Sequence, residues 1–338
     1  MSSQEPLSKP NGPETIDKDT RYKLAEALLK NIRPTTAKPE GFDHLEASNK
    51  DLLNHGLPAR PDKATRPAQY AKWSRFVSKP TQYIKPTFRI VPDNRTAGKR
   101  TSAAGSDVSA NTTSTNWSGA VTPSPAAGES YNSCSARWVV PNEWPPASAW
   151  TGSGWKDGSW EQVAWVGIDG WTSQSAILQA GTKSVVTVTG GKVSQSTWAW
   201  YEWYPAFEIA YTNFTVQPGD TVEVLVCSFS ATTGYAAITN VGANTSTSVN
   251  LSAPNAAAVL TGTNAEWILE DDSVGGAEAP FSDYGAIFFY DCNAGTTKRE
   301  VNLDGSLLVN MVEGGATLST AVQISSTVLE TYEGSAGP

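Results

Sequence analysis

Residues 116–335 are predicted to fold as an all-β domain, two antiparallel sheets packed as a sandwich, preceded by a small helical N-terminal segment. Two observations predict the sandwich. Short runs rich in Val, Thr and aromatic residues recur along this stretch: SARWVV, EQVAWVGID, SVVTVTG, STWAWYEWYP, TVEVLVCSFS, AEWILE, AIFFYD and AVQIS. Turn strings such as GTK, QPGD and NAGT separate them at short intervals, with no sustained helical period and no internal repeat.

The N-terminal segment, residues 1–98, carries three short helical patterns. Asp19 and Thr20 are placed to cap a helix bearing Leu24, Leu28, Leu29 and Ile32, which Pro34 ends. FDHLEASNKDLLNHG presents Leu45, Leu52 and Leu53 and stops at Gly56, and RPAQYAKWSRFVSKP spaces Tyr70, Trp73, Phe76 and Val77 helically. Helices this short, with narrow apolar faces, need a surface to dock on. Residues 99–115 are small, polar and aperiodic, a linker by composition. It opens on Lys99-Arg100, which reads either as solvated linker or as a processing site.

Charge divides the chain at the same place. The 338 residues hold 25 Lys+Arg and 33 Asp+Glu, net −8. Residues 1–100 hold 19 basic and 11 acidic residues, whereas 101–338 hold 6 and 22. Both histidines, His44 and His55, lie in the basic part, so the acidic domain has neither a Ser-His-Asp nor a Cys-His apparatus nor a His-ligated zinc. Its acidity argues against a nucleic-acid partner. No apolar run approaches the roughly 20 residues of a membrane span, and MSSQEPLSKPNGPE lacks the apolar core of a conventional signal peptide. Cys134, Cys227 and Cys292 allow at most one intramolecular disulfide and contain no CxxC pair. Six sequons, at Asn94, Asn111, Asn116, Asn213, Asn244 and Asn250, matter only in a eukaryotic secretory route.

Strand alternation then picks out candidate residues. Twelve of the 13 tryptophans follow residue 100. In STWAWYEWYP, Trp198, Trp200, Glu202 and Tyr204 share one face and Tyr201 and Trp203 the other. A carboxylate interleaved with large aromatics suits the wall of a groove for an extended polymer, peptide or glycan, better than a core. In TNAEWILED, Trp267 and Leu269 point to the core, leaving Glu266, Ile268 and Glu270 on the opposite face. In AWVGIDGWTSQSAILQAG, Trp165, Gly167 and Asp169 alternate with Val166 and Ile168, and Ile177 shares a face with Gln179. Without His, hydrolysis must rest on carboxylates. Glu with Gln makes a hydrolytic pair, base plus oxyanion donor; Glu with Glu makes a glycosidase pair. These residues alone leave both readings open, with a non-catalytic binding module as a third.

Five strings, NWSGAV (116–121), AWVGIDG (164–170), AILQAG (176–181), WYEWYP (200–205) and NAEWILED (264–271), resemble in order and separation those of the glutamic peptidases, or eqolisins. The resemblance spans the whole domain. It implies a concanavalin A-like sandwich and acid-active endopeptidase chemistry on protein or peptide substrates, with no metal or organic cofactor. It assigns catalysis to Gln179 and Glu270, and substrate-binding or supporting roles to Trp117, Trp165, Asp169 and Glu202; Trp200 and Tyr204 join these as the face-mates of Glu202. It also implies a monomeric, extracellular enzyme made with an intramolecular pro-segment; HGLPARP (55–61) resembles a string of such segments. One departure stands out. The resemblance leads one to expect Phe after Glu270-Asp271, where this chain has Asp272. On Glu270's side of the strand, Asp272 would raise the Glu270 pKa and the acid optimum with it.

Overall fold

The computed structural model describes residues 16–33, 35–36, 38–78, 81–92, 112–172, 175–271, 273–274, 277–278 and 281–334. Lys99-Arg100 and Asp272 lie outside them.

Two sheets form the sandwich. The first runs β1 (Gln82–Tyr83), β12 (Thr245–Ser252), β11 (Thr233–Asn240), β10 (Thr221–Ser230), β5 (Tyr131–Val139), β16 (Ala286–Thr296) and the short β17 (Glu300–Val301). The second runs β2 (Phe88–Val91), β9 (Glu208–Tyr211), β8 (Lys192–Tyr204), β7 (Ile177–Thr189), β6 (Gly158–Ile168), β13 (Ala265–Glu270), β4 (Trp117–Val121), β18 (Leu307–Glu313), β19 (Ala316–Ser325) and β20 (Val328–Glu333). Pairing in both is antiparallel except for β1 on β12 and β3 (Thr112–Ser114) on β18. A small separate ladder joins β14 (Ser273–Val274) to β15 (Ala277–Glu278).

β16 belongs to both sheets. Its first half pairs with β20 and its second half with β5. The change of partner coincides with a register shift and with Asp291 at φ 54°. An irregularity of this kind lets one strand turn the corner of a sandwich.

Alternation decides what fills the space between the sheets. Trp138 from the first sheet meets Val166, Tyr201, Trp203, Trp267 and Leu269 from the second in one buried core. The in-between residues of the second sheet, Trp117, Val163, Trp165, Trp200 and Ile268, form a separate apolar cluster on its opposite face. The faces read for AEWILE and STWAWYEWYP are therefore the ones observed. Cys134 and Cys292 are buried, and none of the three cysteines is paired.

The N-terminal helices are α1 (Lys18–Lys30), α2 (Asn49–Asn54) and α3 (Pro67–Ser78). The cap of α1 is Asp17, not Asp19 or Thr20. The helix starts at Lys18, so Thr20 N is one of its unsatisfied donors, and it donates to Asp17 Oδ1 (2.9 Å). Each helix found the surface it needed. α1 inserts Ala25 and Leu28 into the main core. α2, α3 and the segment between them gather Leu52, Leu57, Trp73 and Val77 into their own cluster beside the outer face of the first sheet. There Tyr235 Oη and Ser248 Oγ both donate to Gly56 O (3.0 and 2.8 Å). β1 and β2 lengthen one edge of each sheet. Main-chain pairing and buried apolar groups thus hold this segment, in addition to opposite charge. Among the described residues no helix is long and apolar enough to cross a membrane.

Buried acid in the sandwich sets a pH dependence. Glu143 accepts hydrogen bonds from Gln162 Nε2 (2.9 Å) and Ser282 Oγ (2.6 Å). Burial above all, with some help from Asp283, pushes its pKa from 4.5 to about 7 despite those bonds. Glu333 rises to about 7 through burial and then Asp283. A raised carboxyl favours the fold when protonated. That contribution is complete below the unfolded value of 4.5 and is lost as pH climbs from there to about 7. The thermal midpoint should therefore fall across this window, and less steeply in Glu143→Gln, which keeps a neutral partner for Ser282. A variant profile superimposable on wild type would contradict this.

Candidate active site

The register of β4, β13, β6, β7 and β8 arranges the second sheet's outer face in rows. One row carries Glu266, Gly167, Gln179 and Glu202 as successive cross-strand partners. The next carries Ile268, Trp165, Gly181 and Trp200. The third carries Trp117, Glu270, Val163, Lys183 and Trp198. Tyr204 lies one step beyond Glu202, opposite Ile177. Seven of the eight residues singled out from the sequence, all but Asp169, thus share one face.

Glycine makes the middle row possible. A Cβ on Gly181 would stand 1.9 Å from Ala164 O, and one on Gly167 would stand 2.8 Å from Cζ3 of Trp165. The benzene end of the Trp165 ring therefore occupies the space over Gly167, on the side of Gln179. Its other end meets the acid: Trp165 Nε1 donates to Glu270 Oε2 at 2.8 Å. Asn116 Nδ2 donates to Glu270 Oε1 at 3.4 Å. The Trp117 ring packs edge-on against Trp165, centroids 5.0 Å apart. Glu270 and Gln179 are each 4 % exposed. Gln179 Oε1 is buried without a hydrogen-bond partner among the described residues. Such a group is costly to leave unmet and is suited to a ligand.

Asp169 is not on the cleft face. It sits at φ 63° just past β6 and is fully buried. Its carboxylate accepts from the backbone N–H of Thr261, Gly262 and Thr263 (2.6, 2.9 and 2.7 Å) and from the hydroxyls of Thr261 and Thr263. It clamps the turn that leads into β13.

Three residues beside the site were given no site role in the sequence reading. Asn116 entered it as a sequon and as the first residue of NWSGAV, yet it is buried against Glu270. Glu266, named only as a face-mate of Glu270, accepts from Trp171 N at 2.8 Å. Lys183 is buried in the row of Glu270 and pairs with Glu161 at 2.7 Å. A lone Lys in an apolar strand, SVVTVTG preceded by GTK, was the only available signal. Among the described residues no three His, Cys, Asp or Glu side chains are disposed to hold a metal ion.

The family model for the Peptidase A4 family matches residues 115–332. The chain belongs to this family. Aspergillopepsin-2 of Aspergillus niger is 31 % identical over 228 residues, covering 65 % of this chain and 78 % of that protein. Scytalidopepsin B of Scytalidium lignicola is 30 % identical over 208 residues, covering 60 % and 71 %. Scytalido-glutamic peptidase, solved with a peptide-based transition state analog, superposes with a TM-score of 0.53 at 27 % identity, covering 65 % of this chain and 98 % of that one. As an A4 peptidase the protein is a glutamic endopeptidase, which settles the peptide-or-glycan question in favour of peptide hydrolysis.

Proposed function

We propose that this A4 peptidase cleaves proteins in acid with Glu270 and Gln179 as its dyad. The observation that carries the proposal is their placement on one cleft face around Trp165, with Glu270 oriented by two donors and Gln179 Oε1 without a hydrogen-bond partner among the described residues. Glu270 takes a proton from water as the water oxygen attacks the peptide carbonyl carbon. The Gln179 amide N–H groups donate to the oxyanion that forms. Glu270 then gives its proton to the departing amine, the C–N bond breaks, and the carboxylate is restored. Glu202, opposite Gln179 on β8, and the Trp117, Trp200 and Tyr204 rings give the extended peptide a polar and aromatic floor. Mass spectrometry of products from a denatured protein incubated at pH 2–7 tests this: internal peptide-bond cleavage is expected in acid, and intact substrate throughout would overturn it.

Trp165 acts here through Glu270. Trp165→Phe keeps the ring and deletes the 2.8 Å donor. A loss of about tenfold in kcat with little change in KM is expected. A rise in KM alone would make Trp165 a substrate platform instead.

The same proposal makes residues 1–98 a pro-segment, cut within 99–115 and removed in acid. What supports it is the charge break, the separate helical cluster and the way β2 occupies the edge of the cleft sheet. The full chain should be inactive near neutral pH and gain activity as 1–98 is lost; full activity of the uncut chain would overturn this. One chain supplies the whole cleft, so a monomer suffices. An acid extracellular setting follows from the family resemblance.

A further inference from the structure

The end of β8 and the turn after it form a cradle for a guanidinium group, and Arg21 of α1 fills it. Arg21 Nε donates to Pro205 O (3.3 Å) and Nη2 to Ala206 O (3.2 Å). Nη2 lies 3.8 Å from Glu202 Oε1. The guanidinium carbon stands 4.4 Å from the centre of the Phe207 ring and 5.8 Å from that of Tyr204. Arg21 is 5 % exposed. These five partners fall within six consecutive residues of the β domain. Two carbonyls and a carboxylate around the fork, with ring faces against the cation, suit arginine better than lysine. Glu202 is the cross-strand partner of Gln179, and Tyr204 shares its face. Glu202 therefore joins the cradle to the cleft face.

We propose that residues 202–207 are a binding site for guanidinium side chains, held by Arg21 in the intact chain and taken by an arginine of the peptide substrate once the N-terminal segment has left. The second half rests on the pro-segment reading above; the first half does not.

The test begins with full-length Arg21→Ala, which empties the cradle while Ala25 and Leu28 stay in the core. Its thermal midpoint should fall and be restored by millimolar methylguanidinium, with methylammonium at equal concentration restoring less. Wild type should respond to neither. Equal effects of the two cations on the variant would overturn the site. Should Arg21→Ala fail to fold, Arg21→Lys takes its place, with partial loss and the same selective rescue expected.

Processed enzyme supplies the second arm. Peptides carrying arginine or uncharged citrulline at each position in turn should reveal one position where arginine raises kcat/KM about tenfold, equivalent to about 1.4 kcal/mol. Methylguanidinium should erase that preference. Rescue in the first arm with no arginine preference in the second would make the cradle a latch for α1 and overturn its substrate role. A chain that is never processed, yet shows selective rescue, would sink the pro-segment reading and the substrate role together and leave the guanidinium site standing.

Discussion

Replacing Glu270 by Gln should lower kcat by about 10⁴ and leave KM nearly unchanged. The proposed carboxylate serves twice, taking a proton from water and returning it to the amine. General acid–base catalysis contributes roughly 10²–10⁴, and a residue used in both steps belongs at the upper end. Gln has nearly the shape of Glu, so its amide oxygen keeps the shorter contact, from Trp165 Nε1, while its –NH2 faces the Asn116 donor and the base disappears. Gln179→Ala should cost about 10²–10³ in kcat, the usual effect of deleting one oxyanion donor. The two losses should not add in the double variant, because an oxyanion donor has little to stabilise once water is no longer activated. Steady-state kinetics on a peptide substrate, with circular dichroism to verify folding, checks all three. A Gln179→Ala enzyme within threefold of wild type would remove Gln179 from the mechanism.

The second large effect is on stability. Asp169→Ala should destabilise the protein by about 3–5 kcal/mol. The substitution strands three backbone N–H groups of residues 261–263, each costing about 1–3 kcal/mol where water cannot reach it. Local relaxation and entering water reduce the sum. In a chain of this size that corresponds to a drop in thermal midpoint of about 10 °C. Asp169→Asn should fall between the two, since an amide keeps one acceptor and turns the other into a donor facing donors. Activity should fall with stability in both, because the clamped turn feeds directly into the strand that carries Glu270. A thermal midpoint for Asp169→Ala within 2 °C of wild type would contradict the clamp.

The cleft was legible in the sequence where a strand is long and its two faces differ chemically. STWAWYEWYP could be split into Trp200, Glu202 and Tyr204 against Tyr201 and Trp203 because a strand has a period of two, and AEWILE likewise. Alternation gives no information on whether a residue just past a strand's end still faces the cleft. Asp169 turns away there because its φ of 63° breaks the extended path. Nor does alternation reveal partners distant in sequence. The contact of Asn116 with Glu270 spans 154 residues, and the seating of Arg21 beside Pro205 spans 184. β11 and β12, GYAAITN and TSTSVNLS in large part, escaped the strand list because small and hydroxyl residues give them little hydrophobic contrast. The helices of the first 98 residues were legible as helices. Their docking was not, since it depends on the outer face of a sheet built from residues more than a hundred positions away.

The central claim is that one glutamate and one glutamine on this sheet hydrolyse peptide bonds in acid. Its most direct test is the cleavage rate of a denatured protein from pH 2 to 7, measured side by side for processed wild type and for Glu270→Gln with intact fold. Proteolysis confined to acid in wild type and absent from the variant is the predicted result. Cleavage by the variant at the wild-type rate would contradict it and return the search to the other carboxylates of the same face, Glu202 and Glu266.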